Sequence, residues 1–224
     1  MPAPPRLRVE ATAGPAFELL VGLYAATTPD ASHAASWVPD RSGWSSELTR
    51  AVARAGERSG EAWLHLLGLA IELPHTDAAS FVEAVSRLPA RELRRHLVGV
   101  HVPAWTGMVG GETLERAAGG DRAAIDEVLA HPRYYAGRAA ESLGPLLEVP
   151  ARETKTRLVT ALRLFAAEAF ASSEAEAVPA LRSGADAALR HRLLPLTFTT
   201  QVVGWPPRGA GRPGTPQVRP VARR

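Results

Sequence analysis

The chain has 224 residues, 46% of them hydrophobic, with 26 Lys+Arg against 23 Asp+Glu and no cysteine. That length supports one good core, and the lack of cysteine excludes disulfides, thiolate metal sites and cysteine nucleophiles together. Charge is unevenly placed: residues 187–224 carry seven arginines and no acid, while residues 1–186 carry 19 Lys+Arg and 23 Asp+Glu, a net of −4. The basic pI therefore belongs to the C-terminal segment, and the rest is mildly acidic.

In chain order, 6–11 alternates polar and apolar residues, which predicts a short half-buried strand. After Gly14-Pro15, the spacing of Phe17, Leu20, Val21 and Tyr24 predicts a helix ending at Thr28-Pro29. A loop follows over 29–41. Ser42 is read as the N-cap of a helix with Trp44, Leu48, Val52 and Ala55 on one face. Trp63, Leu64, Leu67 and Ile71 mark a further helix, stopped by Pro74. Asp77 caps a helix bearing Phe81, Val82 and Val85. Pro89 opens the next, with Leu93 and Leu97 inward and Arg91, Arg94 and Arg95 outward. Residues 101–111 read as a long, apolar, glycine-bearing loop. Short helices are expected over 112–118 and 121–130, split by Gly119-Gly120, with Asp121 as a cap. One more covers 134–147. The most regular stripe, Leu158, Val159, Leu162, Phe165, Ala166, Ala169 and Phe170, predicts about five helical turns over 152–171. A helix over 174–194 and a strand near 197–203 follow. From Gly204 onward nine of 21 residues are Gly or Pro, and the periodic signal ends.

These elements predict a mainly α, multi-helix bundle-like domain over 1–195 with one short N-terminal strand. Residues 196–224 are expected to form a short strand and then a disordered Gly/Pro/Arg-rich tail. No βαβ alternation or fixed-period repeat is present. The most apolar window, 63–73, is far shorter than the roughly 20 residues a membrane span needs. With no signal-peptide pattern, a cytoplasmic protein is expected.

Motifs for chemistry are weak. His96 and His101 are five apart, off helical ligand spacing, and Glu61 and His65 alone make only two ligands. Glu72 and His75 are separated by Pro74. The histidines are therefore expected to be scattered, with no metal bound. Gly43-Trp44-Ser45-Ser46-Glu47 lacks the closing glycine and the preceding strand of a nucleophile elbow. Lys155 lies in a polar turn and is expected in solvent. Gly107, Gly110 and Gly111 form no phosphate loop. Arg87, Arg91, Arg94 and Arg95 read as a solvated basic face.

The stretch from Arg8-Val9-Glu10-Ala11 through Pro15-Ala16-Phe17-Glu18-Leu19-Leu20-Val21-Gly22-Leu23 resembles the start of actinobacterial ArsR-type transcription regulators. In that family a short strand and a helix of this kind lead into a long helical region and then a C-terminal winged helix. The resemblance implies a sensor or dimerisation region, truncated before a DNA-reading module, since 209–214 replaces the winged helix with a Gly/Pro/Arg run. No metal-binding or DNA-reading residue is carried over. This reading expects a non-enzyme without cofactor, working as a homodimer on a small-molecule ligand. DNA would be held only nonspecifically through the tail, and no membrane is involved. Trp44, Trp63, Trp105 and Met108, bulky groups beside loops, are the candidate ligand-binding residues. Two alternatives stand beside it. One is a helical enzyme using His65, His96 or His101 as general base. The other is an interaction module whose 158–170 stripe packs across a dimer.

Overall fold

Pro15 sits in the first turn of α1 (Pro15–Thr27), where its missing N–H costs nothing. In this computed structural model, residues 14–28, 41–56, 58–171 and 174 are described. The strands expected at 6–11 and 197–203, nearly all of the 174–194 helix and the basic C-terminal segment lie outside them.

The described residues are all α, with no strand among them: α1, α2 (Ser46–Ala55), α3 (Gly60–His65), α4 (Leu67–Glu72), α5 (Ala78–Arg87), α6 (Ala90–Leu97), α7 (Pro103–Val109), α8 (Gly111–Gly119), α9 (Arg122–Ala130), α10 (Ala139–Leu147) and α11 (Ala151–Leu164). A π-helical turn, Phe165–Phe170, prolongs α11.

α1 is buried on nearly every side and packs on α3. Gly60 permits that approach, because a Cβ there would collide with the Thr28 hydroxyl. α11 packs against α2, α5 and α6. Its Leu158, Leu162, Phe165 and Phe170 are fully enclosed, so the stripe considered for a dimer is spent inside this chain.

Glu18 lies on α1 with 6% of its surface exposed. Burial pushes its carboxyl up to about 7. In the unfolded chain the same group ionises near about 4.3, so between these values the unfolded state releases its proton first and stability falls as pH rises. Glu18→Gln removes this cost. Its advantage over the wild type is expected to grow by about 1–3 kcal/mol between about pH 4 and about pH 8, read from urea unfolding. An advantage that does not change with pH would contradict the burial argument.

Several sequence expectations hold. Asp77 caps α5, its side chain accepting from the Ser80 N–H in a capping box. Asp121 caps α9 by accepting from Ala124. Gly120, at φ 93°, separates α8 from α9.

Others are corrected. The cap of α2 is Ser45, whose Oγ accepts from Leu48 N–H at 3.0 Å; Arg41–Gly43 is a 3₁₀ turn. The single helix expected through Ile71 breaks at Leu66, and Ile71 is 68% exposed. The run from Leu66 to Ile71 is almost wholly apolar, so its period does not tell which side faces in, and the break rotates the second half. The 101–111 loop is largely helix α7, started by Pro103 in its first turn and ended at Gly110, φ 99°. The 134–147 helix begins as a 3₁₀ turn in which Tyr135 and Ala136 take φ 52° and 54°. Lys155 is half-buried, and its Nζ donates to the Leu88 carbonyl at 2.7 Å, so it closes the end of α5 instead of standing in solvent.

Candidate functional site

α6 is the element around which the polar groups gather. Its sequence, Ala-Arg-Glu-Leu-Arg-Arg-His-Leu, places Leu93 and Leu97 in the core as expected, but Arg94 is also buried, with 1% of its surface exposed. Arg94 Nε donates to Thr154 Oγ1 at 3.1 Å, and Nη2 donates to the carbonyls of Leu146 (3.1 Å), Leu147 (3.0 Å) and Val149. These carbonyls belong to the C-terminal turn of α10 and to Val149, two residues past its end, where no intrahelical donor is left and a cation is favoured. The outward assignment of Arg94 is thus overturned. One guanidinium closes α10 and joins it to α6 and α11.

The rest of the basic face pairs within itself. Arg87 meets Glu83 at 3.1 Å, Arg91 meets Glu115 at 3.7 Å, and Arg95 bridges Glu92 (2.9 Å) and Glu115 (2.7 Å). Pro89, Arg91, Glu92, Arg95 and Glu115 line an open cleft of about 330 Å³ between α6 and α8.

Along one face of α6, from Glu92 in its first turn to His96 in its last, Glu92, His96 and His101 converge, with one ligand atom from each lying within 4.8 Å of the others. Glu92 Oε1 is 3.8 Å from His96 Nε2 and 3.6 Å from His101 Nε2, and Glu72 Oε2 on α4 is 3.6 Å from His96 Nε2. The two imidazole rings are 4.7 Å apart. Gly99 makes this possible: at φ 63° it turns the chain back after α6, so that His101 returns over Glu92. His96 is 5% exposed and His101 side chain 40%. Burial pushes the His96 imidazole below its ordinary value, against the opposing pull of Glu72 and Glu92. Desolvation acts to raise Glu92, but the Arg95 hydrogen bond and the neighbouring positive charge hold it below the usual carboxylate range. The expectation that these histidines are scattered is corrected here. Glu92 and His96 are four apart on one helix face, and that spacing was the available signal. The five-residue gap from His96 to His101 conceals their approach, because a left-handed turn lies inside it.

Behind this group is an aromatic wall. His65 packs on Tyr135 (centroids 4.2 Å) and Trp105 (5.5 Å), and Trp105 meets Tyr134 edge-on at 5.1 Å. The two buried tyrosines close the end of α6: Tyr135 Oη donates to Leu97 O at 2.6 Å and Tyr134 Oη to Val98 O at 2.7 Å. His65 Nδ1 is sealed away from solvent without a hydrogen-bond partner, and burial pushes the ring down to about 3. A ring so enclosed and so weakly basic is poorly matched to general-base work near neutral pH.

The four residues expected to line a ligand pocket fall on three segments: Trp105 and Met108 lie three apart on α7, Trp63 is on α3 and Trp44 precedes α2. Trp105 is in the wall just described and Trp63 is fully buried on α3. Trp44 packs edge-on against Phe165 at 5.7 Å with Arg41 over its ring, and Met108 on α7 is half-buried against the core. Glu61, considered with His65 as a ligand pair, is instead paired with Arg138. Glu72 faces His96, while His75 Nδ1 lies 2.9 Å from the Leu73 carbonyl.

No protein-family model matches this chain, and no curated protein or solved structure matches it either. Among the described residues, no helix is long and apolar enough to cross a membrane.

Proposed function

We propose that this chain is a sensor region of a transcription regulator resembling the ArsR type, with an input site on the Glu92–His96 face of α6. The observation that carries this reading is the join at Gly99. On one side stands the Glu92–His96–His101 group; on the other, a Cβ on Gly99 would lie 2.5 Å from Trp105 Cδ1. A ligand that draws Glu92 and His101 together acts on the backbone at Gly99 and hence on the buried Trp105 stack. That is the differential contact a two-state response requires. The partners in this reading are a second copy of the chain and a small polar effector. The arginine-rich C-terminal sequence adds salt-dependent, sequence-indifferent affinity for DNA.

The reading is tested by offering the full chain a random duplex library at rising salt. Retention that falls steeply with salt and enriches no sequence is the expected result. Enrichment of a defined sequence would show a DNA reader within these 224 residues and contradict the proposal.

A further inference from the structure

We propose that Glu92, His96 and His101 form a three-residue binding site for a divalent transition-metal ion of the Zn²⁺ class, with Glu72 beside His96. This deepens the reading above by naming the effector, and it rests on that reading only for the consequence of binding.

The donor spacing carries the argument. Glu92 Oε1 stands 3.6 and 3.8 Å from the two Nε2 atoms, and Glu72 Oε2 stands 3.6 Å from His96 Nε2. These separations exceed the roughly 2.7–3.2 Å of a hydrogen bond, so the groups converge without satisfying one another. Zinc bonds of about 2.0–2.1 Å in a tetrahedron put donors about 3.3–3.4 Å apart. The donor atoms of Glu92, His96 and His101 lie within 4.8 Å of one another, so closing the set onto an ion takes side-chain shifts of about 1 Å or less.

The surroundings suit the same assignment. Arg95 Nη1 donates to Glu92 Oε2 at 2.9 Å, and Arg95 is itself tied to Glu115. One carboxylate oxygen is thereby fixed and the other is aimed at the imidazoles, which is the work of an outer coordination shell. Arg91 and Arg95 offset two of the three carboxylates Glu72, Glu92 and Glu115, so with neutral imidazoles the neighbourhood keeps about one negative charge for an incoming cation. Two imidazole nitrogens and one carboxylate, with a position left for water, select a borderline ion such as Zn²⁺ over Mg²⁺ or Ca²⁺, which take oxygen. His101, partly exposed, gives the ion a path from solvent.

The test is calorimetric titration of the tag-free full chain with Zn²⁺, with Co²⁺ absorption in the visible as a second readout of coordination. One equivalent is expected to bind. His101→Ala and Glu92→Gln are each expected to weaken binding by about tenfold or more, with helical circular dichroism unchanged. His101 is the more informative variant, since His96→Ala removes a buried ring. His131→Ala, outside the site, is expected to bind as the wild type does. Absence of saturable one-to-one binding, or wild-type affinity in the His101→Ala and Glu92→Gln variants, would overturn the site. Zinc binding with no response at Trp105 would uphold the site and overturn the sensing role.

Discussion

Arg94→Met is expected to destabilise the fold by about 2–4 kcal/mol, because an unsatisfied buried polar group costs about 1–3 kcal/mol and the Leu147 and Val149 carbonyls lose their side-chain donor together. Methionine keeps the aliphatic stem but removes every donor. The Leu147 and Val149 carbonyls then lose the guanidinium that holds them, while Leu146 O and Thr154 Oγ1 keep their bond to each other. Arg94 itself is 1% exposed, so water does not readily replace the bond to Leu147. The seam joining α6, α10 and α11 should weaken, with a matching fall in the urea midpoint. Arg95→Met, on the same helix but with its side chain 29% exposed, should cost less than about 1 kcal/mol, as partly solvated ion pairs do. Equal effects at the two positions would contradict the assignment of Arg94 as the seam.

Gly99→Ala is the second large expectation, at about 2–4 kcal/mol. The backbone there holds φ 63°, which costs an L-residue roughly 1–2 kcal/mol. The new methyl would also stand 2.5 Å from Trp105 Cδ1 and 3.4 Å from His65 Nδ1, and forcing a tight core apart costs about 1–3 kcal/mol more. The same substitution should move His101 off Glu92. Loss of stability and loss of zinc affinity are therefore expected together, checked by thermal unfolding and by calorimetry on one sample. A variant that keeps both would show that the turn can be made without glycine.

How far the sequence revealed this molecule depends on the range of the interaction. Asp77 and Asp121 act on backbone groups three residues away, so the caps are local chemistry and were readable. The 158–170 stripe was readable because the chain stays helical throughout it, although the expected α period holds only to Leu164 and Phe165–Phe170 widens into a π-helical turn. Ile71 was misplaced because its neighbours are nearly all apolar and the helix breaks at Leu66. Arg94 was misplaced because a charge normally faces water, and its partners lie 52 to 60 residues away in sequence. The Glu92–His96 half of the candidate site follows from helical spacing. The His101 half does not, since it depends on the sign of one dihedral angle at Gly99. The tyrosines that close α6 come from a turn with two non-glycine residues at positive φ, for which Tyr135-Ala136 carries no residue signature.

The coupling of the α6 site to the core through Gly99 is the central claim, and fluorine NMR of the full chain with 5-fluorotryptophan tests it most directly. Five tryptophans give five resonances, and Trp105 is assigned by Trp105→Phe. On addition of one equivalent of Zn²⁺, the Trp105 signal should move while those of Trp44 and Trp63 stay in place. A Trp105 signal that ignores the ion, or five signals that shift alike, would contradict the account.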